Sequence, residues 1–325
     1  MLASSSTTSI LGVITPPKIT YRFFSHLKSI SIIILKNVED VQLNRIDESY
    51  RFCREIARRE GSNFYWGFRF LPHDERQALE ALYAFARRTD DIVDDENSSE
   101  KDRAKKIELW REETISVFNG NISEEPILLA LGDSVKKFEI PKEELLLLID
   151  GCRDDLYMKR YSDIAATLSY CRKVAVTVGL SMLAIFRARG EDVRRAMESI
   201  GYAFQLTNIL RDIPEDMRRD RIYLPLDLLN KFGVAESDLL NGTNINKITE
   251  VIKEVEKDAR KYYKNAVPLY SKLPKDAART MKVMSRVYEG ILDKIVEQNY
   301  DVWKKRPRLS KAQKISIVVK TMLGW

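Results

Sequence analysis

Apolar residues recur at helical spacing along almost the whole chain from about Asp47 onwards. Short breaks rich in Gly, Asn and Ser separate these segments, for example at residues 61–63 and 97–99. No segment alternates apolar and polar residues over the length of a strand. A helical period without a strand period predicts an all-α protein.

The periodicity predicts helices over most of the chain, with a loop region between Pro225 and Thr243. The predicted helices cover about 47–58, 74–94, 101–118, 125–138, 142–157, 168–188, 193–211, 245–273 and 275–298. Short connections favour one compact helical bundle over linked domains. We therefore expect a single domain over residues 46–325, preceded by an extension at residues 1–45.

The first 38 residues differ from the rest. Residues 1–10 are rich in Ser and Thr, and no Asp or Glu precedes Glu39. This composition resembles an organellar transit segment, which would make a plastid or another organelle the location. The alternatives are a disordered tail and a start codon assigned too far upstream. The longest unbroken apolar stretch near the start, residues 32–35, is far too short to span a bilayer.

Composition narrows the class of protein. The chain has 325 residues, 44% hydrophobic and 31% charged, with a net charge of +6. Taken along the whole chain, basic residues are interleaved with acidic ones, which predicts no nucleic-acid partner and suits anionic substrates or an anionic membrane surface. The three cysteines form no CxxC pair, which argues against a zinc site or a disulfide framework and favours a reducing compartment.

A first polar stripe lies on the helix predicted over residues 74–94. Tyr83, Arg87, Asp90 and Asp94 are spaced by four, three and four residues and so share one face. Carboxylates one turn apart repel each other unless a cation lies between them. Mg²⁺ is usually held by one or two carboxylates together with substrate phosphates, and Arg binds phosphate in a bidentate fork. A solvated, charged helix end is the alternative interpretation.

A second stripe follows about 120 residues later on a mostly apolar segment. Gln205, Asn208, Asp212 and Asp216 are spaced by three, four and four residues. Such a stripe is costly to bury without a ligand or ion, so the two stripes together predict a clamp for diphosphates. Pro214 lies within the second stripe and predicts that the helix ends or kinks there, leaving 215–221 as a mobile segment. In that segment Arg218, Arg219 and Arg221 could close over a phosphate.

Other chemistries have little support. The only histidines are His26 and His73, and there is no Gly-rich nucleotide fingerprint or P-loop. Tyr170 and Tyr288 lie on predicted helices, where a lone tyrosine is usually a core residue. Buried tyrosines can also place hydroxyls and ring faces near a carbocation.

Several segments together resemble the squalene and phytoene synthase family from about residue 47 to about residue 323. They are 83–94 (YAFARRTDDIVD), 170–179 (YCRKVAVTVG), 205–212 (QLTNILRD) with Glu215 and Asp216, and 221–225 (RIYLP). The resemblance implies an isoprenoid-synthase helical bundle around a central apolar cavity, in which two prenyl diphosphates are joined head to head. The bacterial type of phytoene synthase is the most similar pattern.

The resemblance also implies roles for individual residues. Metal ligands would be Asp90, Asp94, Asn208, Asp212 and Asp216, holding Mg²⁺, with Mn²⁺ as the alternative ion. Diphosphate oxygens would be contacted by Arg87, Arg211 and Arg221. The reacting centre would be lined by Tyr83, Tyr170, Gln205, Tyr223 and Tyr288. The implied location is cytoplasmic with peripheral membrane contact for product release, and the oligomeric state is left open.

The implied reaction condenses two C20 geranylgeranyl diphosphates to phytoene through a cyclopropyl diphosphate, without NADPH. The alternative is a presqualene-diphosphate or dehydrosqualene synthase that uses C15 farnesyl diphosphate. A non-catalytic helical assembly factor of the same fold is a remote third, because both aspartate clusters are intact. Two residues depart from the family pattern: Pro214 in the second cluster, and Val176 where a small residue is common.

Overall fold

The computed structural model describes residues 42–61 and 63–324. Within that part of the chain every regular element is helical, and extended pairing is limited to one isolated parallel bridge between Arg160 and Ile222. The predicted all-α class is confirmed. Residues 46–325 form one compact unit. The proposed extension at residues 1–45 falls almost entirely outside the described residues, so the domain boundary stays a prediction.

The helices follow one another with short connections. They are α1 (residues 42–60), α2 (Tyr65–Phe68), α3 (His73–Val93), α4 (Glu100–Phe118), α5 (Pro126–Phe138), α6 (Lys142–Asp154), α7 (Ile164–Cys171), a π-helical turn (Arg172–Val176), α8 (Thr177–Ile185), α9 (Glu191–Arg218), α10 (Leu226–Phe232), α11 (Glu236–Asn241), α12 (Ile245–Ala266), α13 (Leu269–Lys272), α14 (Lys275–Glu297) and α15 (Lys311–Met322).

Helix α9 is the central element of the bundle. It packs against α12, α14, α8 and the π-helical turn. Its buried residues include Ile200, Phe204 and Leu210, which belong to one large apolar cluster that runs through the unit. Because α9 is packed on several sides, the polar residues of the second stripe face the interior of the bundle and are only partly exposed to water.

The expected helix end at Pro214 is wrong, because α9 continues to Arg218 with Pro214 inside it. Proline at this position deprives the Leu210 carbonyl of its usual helical donor and costs about 3 kcal/mol in an isolated helix. Packing of Ile213 and Met217, both buried on either side of the proline, outweighs that local cost. Asp216 therefore stays in helical register with Asp212, and Glu215 and Asp216 are not part of a loop.

Other differences from the predicted elements arise from tertiary packing. The helix predicted over 168–188 contains the π-helical turn, and the helix predicted over 245–273 ends at Ala266. The predicted loop after Pro225 contains the short helices α10 and α11, and α15 was not predicted at all.

One helical stretch, Ile164–Ile185, is long and apolar enough to cross a membrane by length and composition. It comprises α7, the π-helical turn and α8, and 56% of the most apolar window is buried inside the protein. Its apolar character is accounted for by its place in the core, as is usual for a central helix.

The close approach of α9 to the π-helical turn generates a stability prediction. A Cβ atom at Gly201 would lie 2.7 Å from the Val176 Cα and 3.0 Å from its backbone nitrogen. We expect Gly201→Ala to destabilise the protein by about 1–3 kcal/mol, because backbone cannot move aside as a side chain can. Thermal unfolding measures this loss.

Gly179→Ala is the matched control. Its Cβ would meet the flexible Met197 side chain at 3.1 Å. The gain in helix propensity, about 0.5–1 kcal/mol, should offset most of the crowding there. An equal loss of stability in both variants would contradict the packing argument.

Candidate active site

An apolar cavity of about 230 Å³ lies between α3, α8, α9 and α14. Most of its walls are aliphatic, aromatic or thioether side chains, such as Phe64, Leu82, Val178 and Met284. The predicted polar residues at its edge are Tyr83, Arg87, Asp90, Gln205 and Asn208. Part of each polar stripe therefore borders one apolar cavity, whereas Asp94, Asp212 and Asp216 are not among the described residues that line it.

A polar groove of about 590 Å³ adjoins the cavity at Arg87. Its walls carry both signs of charge, including Arg88, Asp94, Lys106 and Arg219. A groove of this kind beside an apolar cavity suits a ligand with a charged head and a hydrocarbon tail.

Asp90 stands at the mouth of the cavity on α3. Its carboxylate accepts a hydrogen bond from the Cys152 thiol at 3.3 Å. Surrounding protein atoms and the neighbouring Asp94 carboxylate raise the pKa of Asp90 to about 6, although the Asp90 side chain is partly exposed to solvent. Arg87, one turn away, is paired with Asp91 at 2.8 Å and not with Asp90. Among the described residues, Asp90 thus has no cationic partner in ion-pair contact.

On α9, Asn208 and Asp216 have unsatisfied oxygens. The Asn208 side-chain oxygen is buried without a hydrogen-bond partner, while its nitrogen donates to Gln205 at 3.3 Å. No hydrogen bond or ion pair reaches the Asp216 carboxylate from the residues that the structure describes. Burial and the nearby Asp212 and Asp155 carboxylates raise its pKa well above the ordinary value.

Arginine side chains connect the two acidic stripes. Asp94 at the end of α3 accepts hydrogen bonds from Arg221 at 2.7 Å and from Arg219 at 3.0 Å. Both arginines lie directly after α9. The Arg221 side chain is only 8% exposed, so its ion pair is little screened by solvent. This contact holds α3 against the end of α9.

Asp212 is also neutralised by arginines. Arg211 donates to both of its carboxylate oxygens, and Arg306 donates to Oδ1 at 2.8 Å. Arg306 also lies 3.3 Å from Glu215 and comes from the segment before α15. A sequence-based search could not find Arg306, because it lies 94 residues from Asp212 and outside any helical pattern.

Tyr170 and Tyr223 form a buried cluster and are not among the described residues that line the cavity. Their rings stack with centroids 4.7 Å apart, and Tyr161 packs against both. Both hydroxyls donate to Asp155, at 3.0 Å from Tyr170 and 2.9 Å from Tyr223. Burial raises the pKa of Asp155 to about 7, although Arg221 opposes the shift.

Sequence reasoning missed Asp155. In the sequence it is one of several carboxylates near the end of the helix predicted over 142–157, and nothing there distinguishes it from the others.

Two other predicted residues share an aromatic group at the cavity. Tyr288 stacks on Phe204 with centroids 4.4 Å apart and on Phe64 at 5.0 Å. Tyr83 packs against Phe64 at 6.2 Å. Burial raises the pKa of Tyr288, and the nearby Arg211 and Asn208 of the second stripe oppose this shift, although Tyr288 itself is not among the described residues that line the cavity.

The donor set fits a divalent cation, although no three His, Cys, Asp or Glu side chains converge closely enough to hold one within the described ranges. The buried oxygen of Asn208 has no hydrogen-bond partner among the described residues and can accept a hydrogen bond or bind a cation. Burial is the main cause of the raised pKa values of Asp90 and Asp216, and neighbouring carboxylates add to it. Hard oxygens in this arrangement suit Mg²⁺ together with substrate phosphates.

Comparison with known proteins agrees with this geometry. The family model for squalene/phytoene synthase matches residues 57–313. The chain is 35% identical to a phytoene synthase of Arthrospira platensis over 272 residues, covering 80% of this chain and 87% of that protein. It is 32% identical to a 15-cis-phytoene synthase of Synechococcus elongatus over 293 residues, covering 86% and 94%.

The fold also matches that of a solved dehydrosqualene synthase in complex with a ligand. The TM-score is 0.80 at 24% sequence identity, covering 87% of this chain and 98% of that one. This likeness concerns the fold alone. With the family match and the curated relatives, it is clear that the chain belongs to the squalene/phytoene synthase family, as its sequence motifs indicated.

The Asp155 cluster generates a prediction about pH. Its folded-state pKa of about 7 lies above the unfolded value of about 3.9, so the folded protein holds a proton between these limits. Unfolding releases that proton, and stability should fall as pH rises from about 4 to about 7. Asp155→Asn, which cannot ionise, should flatten this dependence by on the order of 2 kcal/mol.

Thermal midpoints at pH 5 and pH 8 measure the effect. The exposed Asp227 provides a control, and Asp227→Asn should keep the wild-type pH dependence. Parallel curves for wild type and Asp155→Asn would show that Asp155 titrates alike in both states.

Proposed function

We propose that this protein condenses two geranylgeranyl diphosphates head to head to give phytoene, in a reaction that depends on Mg²⁺. The observation that carries the proposal is that part of each polar stripe, including Asp90 of the first and Asn208 of the second, borders one apolar cavity. Phytoene synthases are also prominent among the curated proteins that the chain resembles over most of its length. The residue roles below are part of the proposal.

The proposed metal ligands are Asp90 and Asp94 on one wall and Asn208, Asp212 and Asp216 on the other. Bound Mg²⁺ would supply Lewis acidity towards the departing diphosphate. Mn²⁺ is the alternative ion. The unpaired Asn208 oxygen and the crowded carboxylates of Asp90 and Asp216 support this assignment.

Arginines that now neutralise carboxylates would turn to the substrate. Arg221 and Arg211 each pair with a proposed metal ligand, Asp94 and Asp212 respectively. When a cation takes the carboxylate, each guanidinium is released to donate to diphosphate oxygens. Arg87, at the junction of groove and cavity, is placed to do the same.

The cavity wall would protect and orient the reactive chain. Loss of diphosphate leaves an allylic cation, which the double bond of the second substrate attacks, and the resulting cation loses a proton as the cyclopropane ring closes. Loss of the second diphosphate, rearrangement and loss of a further proton then give phytoene. Aromatic faces such as Tyr83 and Tyr288 stabilise positive charge, and the apolar walls exclude water that would quench it. Gln205 orients Asn208 through its hydrogen bond.

Tyr170 and Tyr223 act behind this wall, because their hydroxyls are held by Asp155. Through Arg221, which lies near Asp155, they steady the diphosphate end of the site. Since the product is a hydrocarbon, we also propose peripheral contact with a membrane.

Both acidic stripes should be required for turnover. Asp90→Asn and Asp212→Asn each remove a proposed metal ligand, and each should lower kcat by on the order of 100-fold or more with Mg²⁺ saturating. Removal of Mg²⁺ with a chelator should abolish activity of the wild type. Product formation from labelled C20 diphosphate provides the measurement.

Asp102→Asn is the matched control. Asp102 is an exposed carboxylate at the start of α4 that accepts a hydrogen bond from Ser99 at 2.6 Å, and it lines neither the cavity nor the polar groove. It should retain activity close to wild type. Near-wild-type turnover of Asp90→Asn or Asp212→Asn would rule out the two-wall clamp.

The product identifies the substrate class. We expect purified protein with Mg²⁺ and C20 diphosphate, without NADPH, to yield phytoene by mass analysis. C15 farnesyl diphosphate should react more slowly. Preference for C15, with dehydrosqualene or presqualene diphosphate as product, would favour the alternative, and a strict NADPH requirement with squalene as product would contradict the proposal.

A further inference from the structure

Helix α15 packs on the bundle by one side only. Its residues Ile317 and Val318 contact a small apolar cluster that contains Val283 and Ile291 of α14 and Trp66 beside them. The opposite side is open to solvent. α15 is therefore a surface helix whose outer half has no partner within the part of the chain that the structure describes.

The solvent-exposed side of α15 has apolar residues at its centre. Ile315 and Val319 are each 47% exposed, Met322 is 62% exposed and Leu323 is 59% exposed. These four residues are a third of the twelve large exposed apolar residues among all described positions. At about 100° per residue they lie side by side on one arc, which we call the apolar ridge.

Basic residues border the apolar ridge. On the same helical projection Lys311 and Lys320 lie at opposite edges of the exposed arc, roughly 180° apart. Lys305 and Arg308 are exposed in the segment that leads into the helix. None of these four forms an ion pair with another described residue. An apolar centre with basic edges is typical of helices that lie in a membrane interface.

Charge is strongly concentrated at this end of the chain. Residues 302–325 contain seven Lys and Arg and no Asp or Glu, whereas the rest of the chain carries 47 Lys and Arg against 48 Asp and Glu. The interleaving of charges inferred for the whole chain therefore stops at Asp301. Residues 302–325 thus carry a net charge of +7, which exceeds the +6 of the whole chain.

The apolar ridge also lies close to the cavity. α2 stands between them, with Trp66 and Phe70 facing the cluster beneath α15 and Phe64 and Phe68 lining the cavity. The short helix α2 and part of α14 thus lie between the apolar cavity and the underside of α15. On the other side, Arg306 connects the same segment to Asp212 of the second stripe.

We propose that the apolar ridge and its basic border bind an anionic lipid bilayer, and that the hydrocarbon product leaves the cavity past α2 into that bilayer. The second part rests on the proposed function, whereas the docking surface does not. Charge complementarity identifies the partner. A second copy of this chain would bring like charges together at Lys305, Arg308, Lys311 and Lys320, while anionic headgroups neutralise the border as the ridge enters the acyl boundary.

Vesicle flotation of the full-length protein tests the docking surface. We expect the wild type to bind phosphatidylcholine vesicles that contain phosphatidylglycerol, and to bind pure phosphatidylcholine much more weakly. The ridge variant carries Ile315→Ser, Val319→Ser and Met322→Ser and should bind roughly tenfold more weakly or worse. The matched control carries Leu109→Ser, Leu240→Ser and Val267→Ser, which are equally exposed elsewhere, and should bind like wild type.

The basic border has its own pair of variants. Lys311→Gln with Lys320→Gln should weaken binding to anionic vesicles roughly fivefold per lysine and leave binding to neutral vesicles unchanged. Lys101→Gln with Lys105→Gln, exposed on α4, should have no such effect. Failure of the wild type to bind anionic vesicles, or equal binding by the ridge variant, would overturn the proposal.

Two further readouts separate the alternatives. Light scattering that shows a wild-type dimer and a monomeric ridge variant, with no vesicle binding, would assign the ridge to contact with a second copy and overturn the proposed bilayer binding.

In detergent, wild type and ridge variant should form product at equal rates, with the ridge variant slower only on vesicles. Equal slowing in both media would overturn the exit route. No product from either protein in detergent would refute the proposed function and leave the flotation result standing.

Discussion

Opposed carboxylates beside an apolar cavity require cations, and this constraint shapes the whole site. In the described structure arginines meet part of it: Arg221 and Arg219 neutralise Asp94, and Arg211 and Arg306 neutralise Asp212. Asp90 and Asp216 have no such ion pair among the described residues, and burial together with neighbouring carboxylates raises their pKa values. The same contacts fasten α3 to the end of α9 and tie the segment before α15 to α9. The same ion pairs therefore balance the charge of these carboxylates and hold α3 and the segment before α15 against α9.

Helical spacing was sufficient to predict the parts of the site that lie within single helices. Four-residue intervals placed Asp90 one turn from Asp94 and Asp212 one turn from Asp216, and the structure has both pairs in register. Local rules failed at Pro214. A proline penalty is a property of an isolated helix, whereas α9 is packed on several sides and continues through the proline. Burial decided the outcome, and periodicity alone could not show how much burial was available.

Features that depend on distant residues were not predictable. Asp155 acquires its importance from two tyrosines, one of them 68 residues away, which meet only in the folded protein. Arg306 reaches Asp212 across 94 residues. The apolar ridge of α15 is short, and only its measured exposure distinguishes it from an ordinary packed helix. The sequence does indicate the basic character of the α15 region, because no Asp or Glu follows Asp301. An average over the whole chain hides this local excess of positive charge.

The π-helical turn has a consequence for the shape of the cavity. Such a turn accommodates one extra residue within an otherwise continuous helix, so everything after it is rotated relative to everything before it by about 100°. Val178 and Gly179 owe their direction into the cavity to this offset. The set of α8 side chains that faces the cavity thus depends on the angular offset between α7 and α8, so one residue inserted or deleted at the turn would present a different set of side chains to the cavity.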